Sequence, residues 1–371
     1  MKKVCVLSYV NTANYGGLLQ LYALSTILSK HFDVEVINYK NGSKIQRSKI
    51  RTILAFFYNK VFPWLSIDKV RKQNELKFRS LIPISNTVYS NAQQLESIDC
   101  NYFIVGSDQV WNPYLNGFDS AYLLRFKTNA TKISYAASFG VEKIPNNWLD
   151  DVSYSLAEFK HISLRENTGC NILEQVSSLA HISKTVDLDP TLLINQNDWK
   201  SNFCTSRLLN FKYILVYLMP GDKIVEKQMI KYAHLLSRKS GNKVVIIGRK
   251  NIDKFNFAKR GYYKAGPSEF VNLINYSEFV VTNSFHGTAF SVNLNKQFVS
   301  FINSNRETAN SLKSRVVDFL SKVSLQDRVV DVKSVSDTSF PNSDIDFKKI
   351  NEVLSSLKTR SLDNLFEGAK E

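Results

Sequence analysis

The sequence contains no apolar run of the ~20 residues that a membrane-spanning helix needs. Its four cysteines (Cys5, Cys100, Cys170 and Cys204) have the spacing of neither a metal site nor a redox motif. We therefore expect reduced, structural cysteines in a cytosolic protein. No cluster of His, Cys, Asp or Glu has metal-ligand spacing, so we expect neither a metal ion nor another cofactor.

Several common ligand-binding and catalytic motifs are also absent. The paired glycines Gly16 and Gly17 do not form the G-x-G-x-x-G dinucleotide fingerprint, and no P-loop lysine follows them. The chain has no G-x-S-x-G nucleophile elbow. Because it also lacks zinc-finger, RNA-recognition and helix-turn-helix signatures, we do not expect a nucleic-acid partner despite the net charge of +15.

Acidic residues are scarce, and the basic excess is concentrated in residues 40–80. This segment holds eleven Lys and Arg against Asp68 and Glu75, a net charge of +9, and contains the aromatic-rich stretch 53–67. Such a segment suits attachment to an anionic membrane surface. A nucleic-acid patch, a groove for an acidic substrate and a helix pair packed on the core are the alternatives. The N-terminus lacks a signal-peptide cleavage site, so we expect a cytoplasmic protein, peripheral at the inner face of the cell membrane.

Short β-rich runs alternate with helical stretches, which predicts βαβ units and mostly parallel sheets. With 371 residues, two domains are expected. We predict two doubly wound Rossmann-like domains, residues 1–195 and 205–340, that face a cleft and are followed by a helix and polar tail over 341–371. The predicted strands cover residues 4–9, 34–38, 102–105, 132–136, 162–165, 213–218, 243–247, 279–282 and 297–301, and the predicted helices cover 18–30, 149–159, 224–240 and 346–358. The aperiodic region 190–212 is the expected connection between the domains.

The polar junction after the strand at 279–282 carries the strongest functional signal. His286 stands where this strand gives way to a helix, and Gly287 follows it. Helix starts attract anions, and ligands bind at the carboxyl ends of parallel strands. An imidazole there can exchange protons near neutral pH. The alternative is a histidine that only caps its own helix.

Two further polar junctions follow predicted strands. In the first, Gly16 and Gly17 let the backbone approach a ligand beneath helix N–H groups, or serve only tight strand-to-helix packing. In the second, Ser107, Asp108 and Gln109 lie at a strand end. Asp108 could orient or deprotonate a hydroxyl there, whereas the alternative is a turn cap.

Arginines occupy other predicted strand ends. Arg165 suits bidentate contact with a carboxylate or phosphate, the alternative being an ion pair with Glu166. Arg306 and Arg315 follow the last strand, and Arg249 is a weaker anion-site candidate. These strand ends are rich in arginine and glycine and poor in acids, which predicts an anionic substrate.

Six blocks in chain order resemble the polysaccharide pyruvyl transferase family, over roughly residues 3–320. The blocks are Asn14-Tyr-Gly-Gly-Leu-Leu-Gln-Leu-Tyr-Ala-Leu24, Gly106-Ser-Asp-Gln-Val-Trp111, Ser134-Tyr-Ala-Ala-Ser138, Ser163-Leu-Arg-Glu166, Asp189-Pro-Thr-Leu192 and Thr282-Asn-Ser-Phe-His-Gly287. The resemblance implies a GT-B-like fold and transfer of a pyruvyl group from phosphoenolpyruvate to two sugar hydroxyls, giving a cyclic ketal and phosphate. The expected acceptor is a saccharide of a polysaccharide or lipid-linked repeat unit, held by the first domain, with the donor in the second.

The family histidine corresponds to His286 and a donor-binding arginine to Arg165, and we expect Asp108 to complete the catalytic set. Where some members have Arg-Leu-His, this chain has Ser284, so another arginine is expected to supply the charge. The residues expected to contact substrate are Asn14, Gly16, Gly17, Gln20, Ser107, Gln109, Ser284, Phe285, Gly287, Thr288, Arg249, Arg306 and Arg315.

Two alternative functions remain open. A glycosyltransferase with a nucleotide-sugar donor would need an acid to hold a ribose, and no Asp or Glu lies between Glu278 and Glu307. A non-catalytic binding protein on the same fold would tolerate substitution of the site, and Ser284 is compatible with that alternative.

Overall fold

Strands and helices alternate along the chain, as the sequence predicts. The computed structural model describes residues 1–12, 14–40, 67–219, 221–248, 265–304, 312–333 and 343–369. The strands are β1 Lys3–Leu7, β2 Asp33–Tyr39, β3 Ile84–Tyr89, β4 Tyr102–Gly106, β5 Thr131–Ala137, β6 Phe159–Leu164, β7 Ser183–Val186, β8 Tyr213–Tyr217, β9 Lys243–Ile247, β10 Phe279–Thr282, β11 Phe298–Ile302 and β12 Val329–Asp331. The α-helices are α1 Tyr15–Leu28, α2 Ile67–Arg79, α3 Pro113–Asn116, α4 Asn146–Leu156, α5 Asn167–Glu174, α6 Pro190–Leu193, α7 Gln196–Phe203, α8 Lys223–Ser240, α9 Pro267–Tyr276, α10 Phe285–Asn293, α11 Leu312–Lys322 and α12 Phe347–Gly368.

The strands form two sheets, and every pairing among the described strands is parallel. The first sheet has the order β3-β2-β1-β4-β5-β6-β7, and the second has the order β12-β11-β10-β8-β9. The strand order therefore reverses between β1 and β4 in one sheet and between β8 and β10 in the other. Such reversals open the crevices in which doubly wound proteins bind ligands. The predicted fold class is confirmed.

The central strands are predictable because they are buried on both faces. Every residue of β4, β8 and β11 is buried. Strands of this kind read as continuous apolar runs. The edge strands β3, β7 and β12 were not predicted, because most of their residues are half-buried or exposed and they lack such a run.

A single hydrophobic cluster extends across both sheets. The ring of Tyr15, at the start of α1, stacks on that of Tyr217 at the end of β8, with 5.9 Å between centroids. The Tyr15 hydroxyl donates to the carbonyl of Ala265 over 2.9 Å. Trp199 and Phe290 meet edge to face at 4.9 Å. The tyrosine contact holds the carboxyl end of β8 against the start of α1, and the Trp199–Phe290 contact holds α7 against α10.

Two regions differ from the sequence prediction. The region 190–212 contains the short helices α6 and α7. The last helix runs to Gly368 instead of ending at residue 358, so the predicted polar tail is wrong over that length. The reason is tertiary packing, because Phe366 lies against His31 and Phe32 of the first domain with centroid distances of 4.8 and 6.5 Å.

The basic segment 40–80 is described only in part, and residues 41–66 lie outside the described residues. In α2, the Arg79 guanidinium donates to the carbonyl of Val10, and that of Arg71 lies 5.2 Å from the centroid of the Tyr15 ring. These two arginines therefore contact the junction between β1 and α1. Among the described helices, none has the length and apolar character that crossing a membrane requires.

Leu365→Ala should lower the free energy of unfolding by about 2–5 kcal/mol, because Leu365 is buried where α12 returns to the first domain. Asp363→Ala, at an exposed position of the same helix, should change it by less than about 0.5 kcal/mol. Urea denaturation measures both. Equal, small effects would show that the end of α12 behaves as a tail.

Candidate functional site

A buried carboxylate, Asp189, lies where the carboxyl ends of the two sheets face each other. It caps α6, and its Oδ1 accepts from the backbone N–H (3.0 Å) and hydroxyl (2.7 Å) of Thr191. Its Oδ2 lies 3.1 Å from Nη1 of Arg165, 3.4 Å from Oγ of Ser107 and 3.5 Å from Nε2 of His286. The His286 contact is an ion-pair distance without the alignment of a hydrogen bond. Asp189 thus connects His286 of the second domain with Arg165, Ser107 and Thr191 of the first.

The charges of this cluster stabilise one another. Burial alone would raise the pKa of the Asp189 carboxyl, but His286 and Arg165 hold that pKa well below its ordinary value. Burial also opposes the charge of Arg165, yet the carboxylates of Asp189, Glu166 and Asp108 raise the pKa of its guanidinium. Asp189 is therefore ionised at neutral pH and presents a negative charge to the His286 ring.

The start of α1 is shaped to receive His286. Asn14 is its N-cap, and its side chain accepts from the backbone N–H of Gly16 over 3.1 Å. A Cβ atom at Gly16 would lie 2.0 Å from Nδ1 of His286, so only glycine lets the ring approach this closely. A Cβ at Gly17 would lie 3.5 Å from Oδ2 of Asp108. Gly16 thus permits the close approach of His286 from the second domain, whereas the tightest neighbour of a Cβ at Gly17 would be Cγ2 of Thr12 at 2.8 Å, in the same domain.

The junction after β4 places Ser107 and Asp108 in the site, and the side chain of the next residue, Gln109, is bound within the same loop. Asp108 is buried with a positive φ of 68°, and its carboxylate accepts from the backbone N–H of Gln109 over 2.8 Å. The Gln109 side chain accepts from that of Asn112 over 2.9 Å and lies against Gly140. Gln109 therefore supports the loop.

Ser284, not His286, caps α10. Its hydroxyl accepts from the backbone N–H of Gly287 over 3.4 Å, and its carbonyl accepts from the Thr288 hydroxyl over 3.0 Å. The Thr288 hydroxyl also lies 2.5 Å from that of Ser300. A serine accepts helix N–H groups and an arginine does not, which gives Ser284 a structural role here. His286 is left available for contacts with the first domain.

Arg165 follows β6, which ends one residue earlier than predicted. Its guanidinium carbon lies 4.8 Å from the centroid of the Phe285 ring, and its Nε lies 3.7 Å from Oε2 of Glu166. Glu166 is held on its other side, because its Oε1 accepts from the hydroxyl of Ser138 over 2.6 Å. Phe285 thus contacts Arg165 across the domain interface through its ring face.

Of the three arginines proposed to replace the charge absent at Ser284, the structure describes only Arg315. Burial and the nearby Arg165 charge lower the pKa of the Arg315 guanidinium to about 10. Arg249 and Arg306 lie outside the described residues.

Gln20 is buried in α1, and neither of its amide atoms has a hydrogen-bond partner within the described part of the chain.

The sequence did not identify Asp189 as a site residue. Its only local signal was Asp-Pro before a helix, which is a common way to begin one. What makes Asp189 important is its contact with groups that are distant in sequence. Within the described ranges, no group of three or more His, Cys, Asp or Glu could hold a metal ion.

Comparison with known proteins gives one family match. The sequence profile of the polysaccharide pyruvyl transferase family matches residues 14–305, which is most of the chain. No curated protein sequence matches the chain significantly.

Solved structures show similarity of fold. The UDP-GlcNAc 2-epimerase of Methanocaldococcus jannaschii has a TM-score of 0.51 at 11% identity, over 96% of this chain and 92% of that one. The UDP-N-acetylglucosamine 2-epimerase of Rickettsia bellii has a TM-score of 0.48 at 12% identity, over 99% and 96%. The E. coli ADP-heptose lps heptosyltransferase II has a TM-score of 0.40 at 9% identity, over 96% and 99%. At these identities only the fold is comparable, and the scores below 0.5 add nothing to it.

Asp189→Asn should lower the free energy of unfolding by about 3–5 kcal/mol, because it removes the carboxylate that lies closest to the buried Arg165 charge. Asp346→Asn is the matched control, since Asp346 is an exposed helix cap and asparagine caps equally well. Denaturant unfolding of both variants measures the difference. Equal losses would mean that capping, not charge, is what Asp189 contributes.

Gly16→Ala should displace the His286 ring and destabilise the protein by about 1–3 kcal/mol, because its Cβ would overlap Nδ1. Gly368→Ala is the control, since its Cβ would have no neighbour closer than 3.4 Å. Thermal unfolding and a crystal structure of each variant test this. An unmoved His286 ring in Gly16→Ala would contradict the described contact.

Proposed function

This chain belongs to the polysaccharide pyruvyl transferase family, and on that premise we propose that it transfers a pyruvyl group from phosphoenolpyruvate to two hydroxyls of a saccharide. Family membership makes it a transferase with a saccharide acceptor. What we propose beyond the family is that phosphoenolpyruvate is the donor and that the product is a cyclic ketal. The proposal rests on the buried cluster of His286, Arg165 and Asp189 where the two sheets face each other.

The reaction balances with these groups. The donor methylene carbon gains one proton, and the adjacent carbon forms bonds to two acceptor oxygens as its bond to the phosphate oxygen breaks. The two hydroxyls release two protons. One becomes part of the new methyl group, and the other leaves with inorganic phosphate. The enzyme therefore has to move protons and hold anions, and no electrons are exchanged.

His286 and Asp108 are the proposed proton carriers. The ionised carboxylate of Asp189 lies 3.5 Å from Nε2 of His286 and presents its negative charge to the ring. His286 delivers the proton to the methylene carbon, and Asp108 orients or deprotonates an acceptor hydroxyl. Because Asp108 belongs to the first domain, the saccharide lies on that side of the site.

The donor carries a carboxylate and a phosphate, and buried arginines suit both. Arg165 keeps its charge because neighbouring carboxylates raise its pKa. Arg315 supplies a second guanidinium from the other domain. Guanidinium groups hold carboxylates and phosphates through paired hydrogen bonds. We propose that Arg315 provides the charge that Ser284 does not.

We further propose that the acceptor is a lipid-linked repeat unit and that the basic segment 40–80 holds the enzyme at the inner face of the cell membrane. The charge of +9 in this segment supports the proposal. Its arginines in α2 that contact the first domain, Arg71 and Arg79, are outside this role.

The enzymatic test incubates the purified protein with phosphoenolpyruvate and synthetic or lipid-linked glycosides. Phosphate release together with a pyruvyl mass gain on the glycoside is the expected result. His286→Gln should lower turnover by about 10²–10⁴-fold with the fold intact, whereas His181→Gln, at an exposed histidine, should not. Consumption of a nucleotide sugar without pyruvyl transfer would instead identify a glycosyltransferase.

Vesicle flotation tests the membrane proposal. Neutralising Lys44, Arg47, Lys49, Arg51 and Lys60 should release the protein from anionic vesicles, at about 1 kcal/mol of binding energy per charge. The control variant removes the same number of charges from exposed lysines elsewhere, namely Lys127, Lys143, Lys212, Lys223 and Lys227. Equal binding of the two variants would refute a specific role for the segment.

A further inference from the structure

The buried guanidinium of Arg165 has one edge that its neighbours leave unfilled. Nη1 donates to Asp189, whereas Nε and Nη2 have no hydrogen-bond partner among the described residues. The nearest carboxylate oxygen, Oε2 of Glu166, is 3.7 Å from Nε and beyond hydrogen-bonding distance. The Nε–Nη2 edge is a fork that binds two oxygens of one anion. Buried donors without partners are costly, so this edge marks a binding position.

The start of α5 follows Arg165 closely, because this helix begins at Asn167, two residues later in the chain. Glu166 is the N-cap residue of this eight-residue helix, but no side chain caps its first N–H groups. The first N–H groups of a helix have no partner within it and attract anions. Thr168, in the first turn, has a buried hydroxyl that also has no partner in the described part of the structure.

Helix α11 approaches the same place from the second domain. The Asn167 side chain donates to Oδ1 of Asp318, so α11 touches the start of α5. Arg315 stands three residues before Asp318, on the same face of α11. Arg315 is 5% exposed, and its Nε likewise has no partner in the described ranges. The helix that carries Arg315 thus contacts the helix that follows Arg165, and the two buried guanidinium groups interact across the domains.

We infer that Arg165, Thr168, Arg315 and the start of α5 form the seat of the donor's phosphate group. This inference rests on the proposed function and specifies where the leaving group lies. Hydrogen-bonding N–H and O–H groups from both domains suit the tetrahedrally arranged oxygens of a phosphate. The Nε–Nη2 edge of Arg165 alone would suffice for a planar carboxylate. An anion between Arg165 and Arg315 would also relieve the repulsion of their like charges.

Inorganic phosphate is the probe, because it is the leaving group in isolation. It should raise the unfolding temperature of the full-length protein and inhibit competitively against phosphoenolpyruvate. Arg315→Met and Thr168→Val should each weaken phosphate binding by about tenfold or more and raise KM for phosphoenolpyruvate more than they lower kcat. Arg125→Met and Thr359→Val, at positions remote from the seat, should bind phosphate like the parent.

Calorimetric titration with phosphate gives the dissociation constants, and the unfolding temperature without phosphate shows whether each variant is folded. Unchanged phosphate binding and an unchanged KM for phosphoenolpyruvate in both seat variants would overturn the inference. The Nε–Nη2 edge of Arg165 would then have Glu166 as its partner. Weakened phosphate binding without pyruvyl transfer would support the seat and remove the proposed function. Pyruvyl transfer with an unchanged KM in the seat variants would remove the seat alone.

Discussion

The structure of the site depends on one buried negative charge. Asp189 is ionised in the interior, and Arg165 and His286 are held there because that charge faces them. Removing one partner from a buried ion pair is far more costly than never forming it. Thr191 fixes the other carboxylate oxygen through the start of α6, so the direction of the charge is set by the backbone as well. The neighbouring functional groups take their positions from this carboxylate.

The site belongs to neither domain alone. His286 comes from the second domain, but its ring lies against Gly16 and Asp189 of the first. The apolar contact between Tyr15 and Tyr217 holds the start of α1 against the end of β8 and so joins the same two domains. The polar groups of the site are buried in this arrangement, so we expect substrates to reach them when the interface opens. The stability of the interface and access to the site are therefore opposed properties.

The sequence predicts what local rules determine. Buried central strands appear as apolar runs, and polar residues after them, such as His286 and Asp108, follow from the carboxyl-end rule. Asp189 escaped prediction because its local pattern is that of an ordinary helix cap, and its importance arises only from contacts across the fold. Arg315 could not be singled out from Arg306 and the weaker candidate Arg249 for the same reason, since its approach to Arg165 is set by the packing of the domains. The edge strands β3, β7 and β12 were missed because they carry no apolar run, whereas the edge strand β9 carries one and was predicted.

The return of α12 to the first domain has a consequence for biosynthesis. Phe366 covers Phe32 and His31, and Asn364 donates to Asp187 over 2.7 Å, so residues translated after the second domain complete the surface of the domain translated before it. Domains that emerge early from the ribosome usually fold before the rest of the chain appears. Here the first domain has to wait, with apolar side chains uncovered, until the whole second domain has been translated. The nascent chain is thus most exposed to chaperones and to aggregation during that interval.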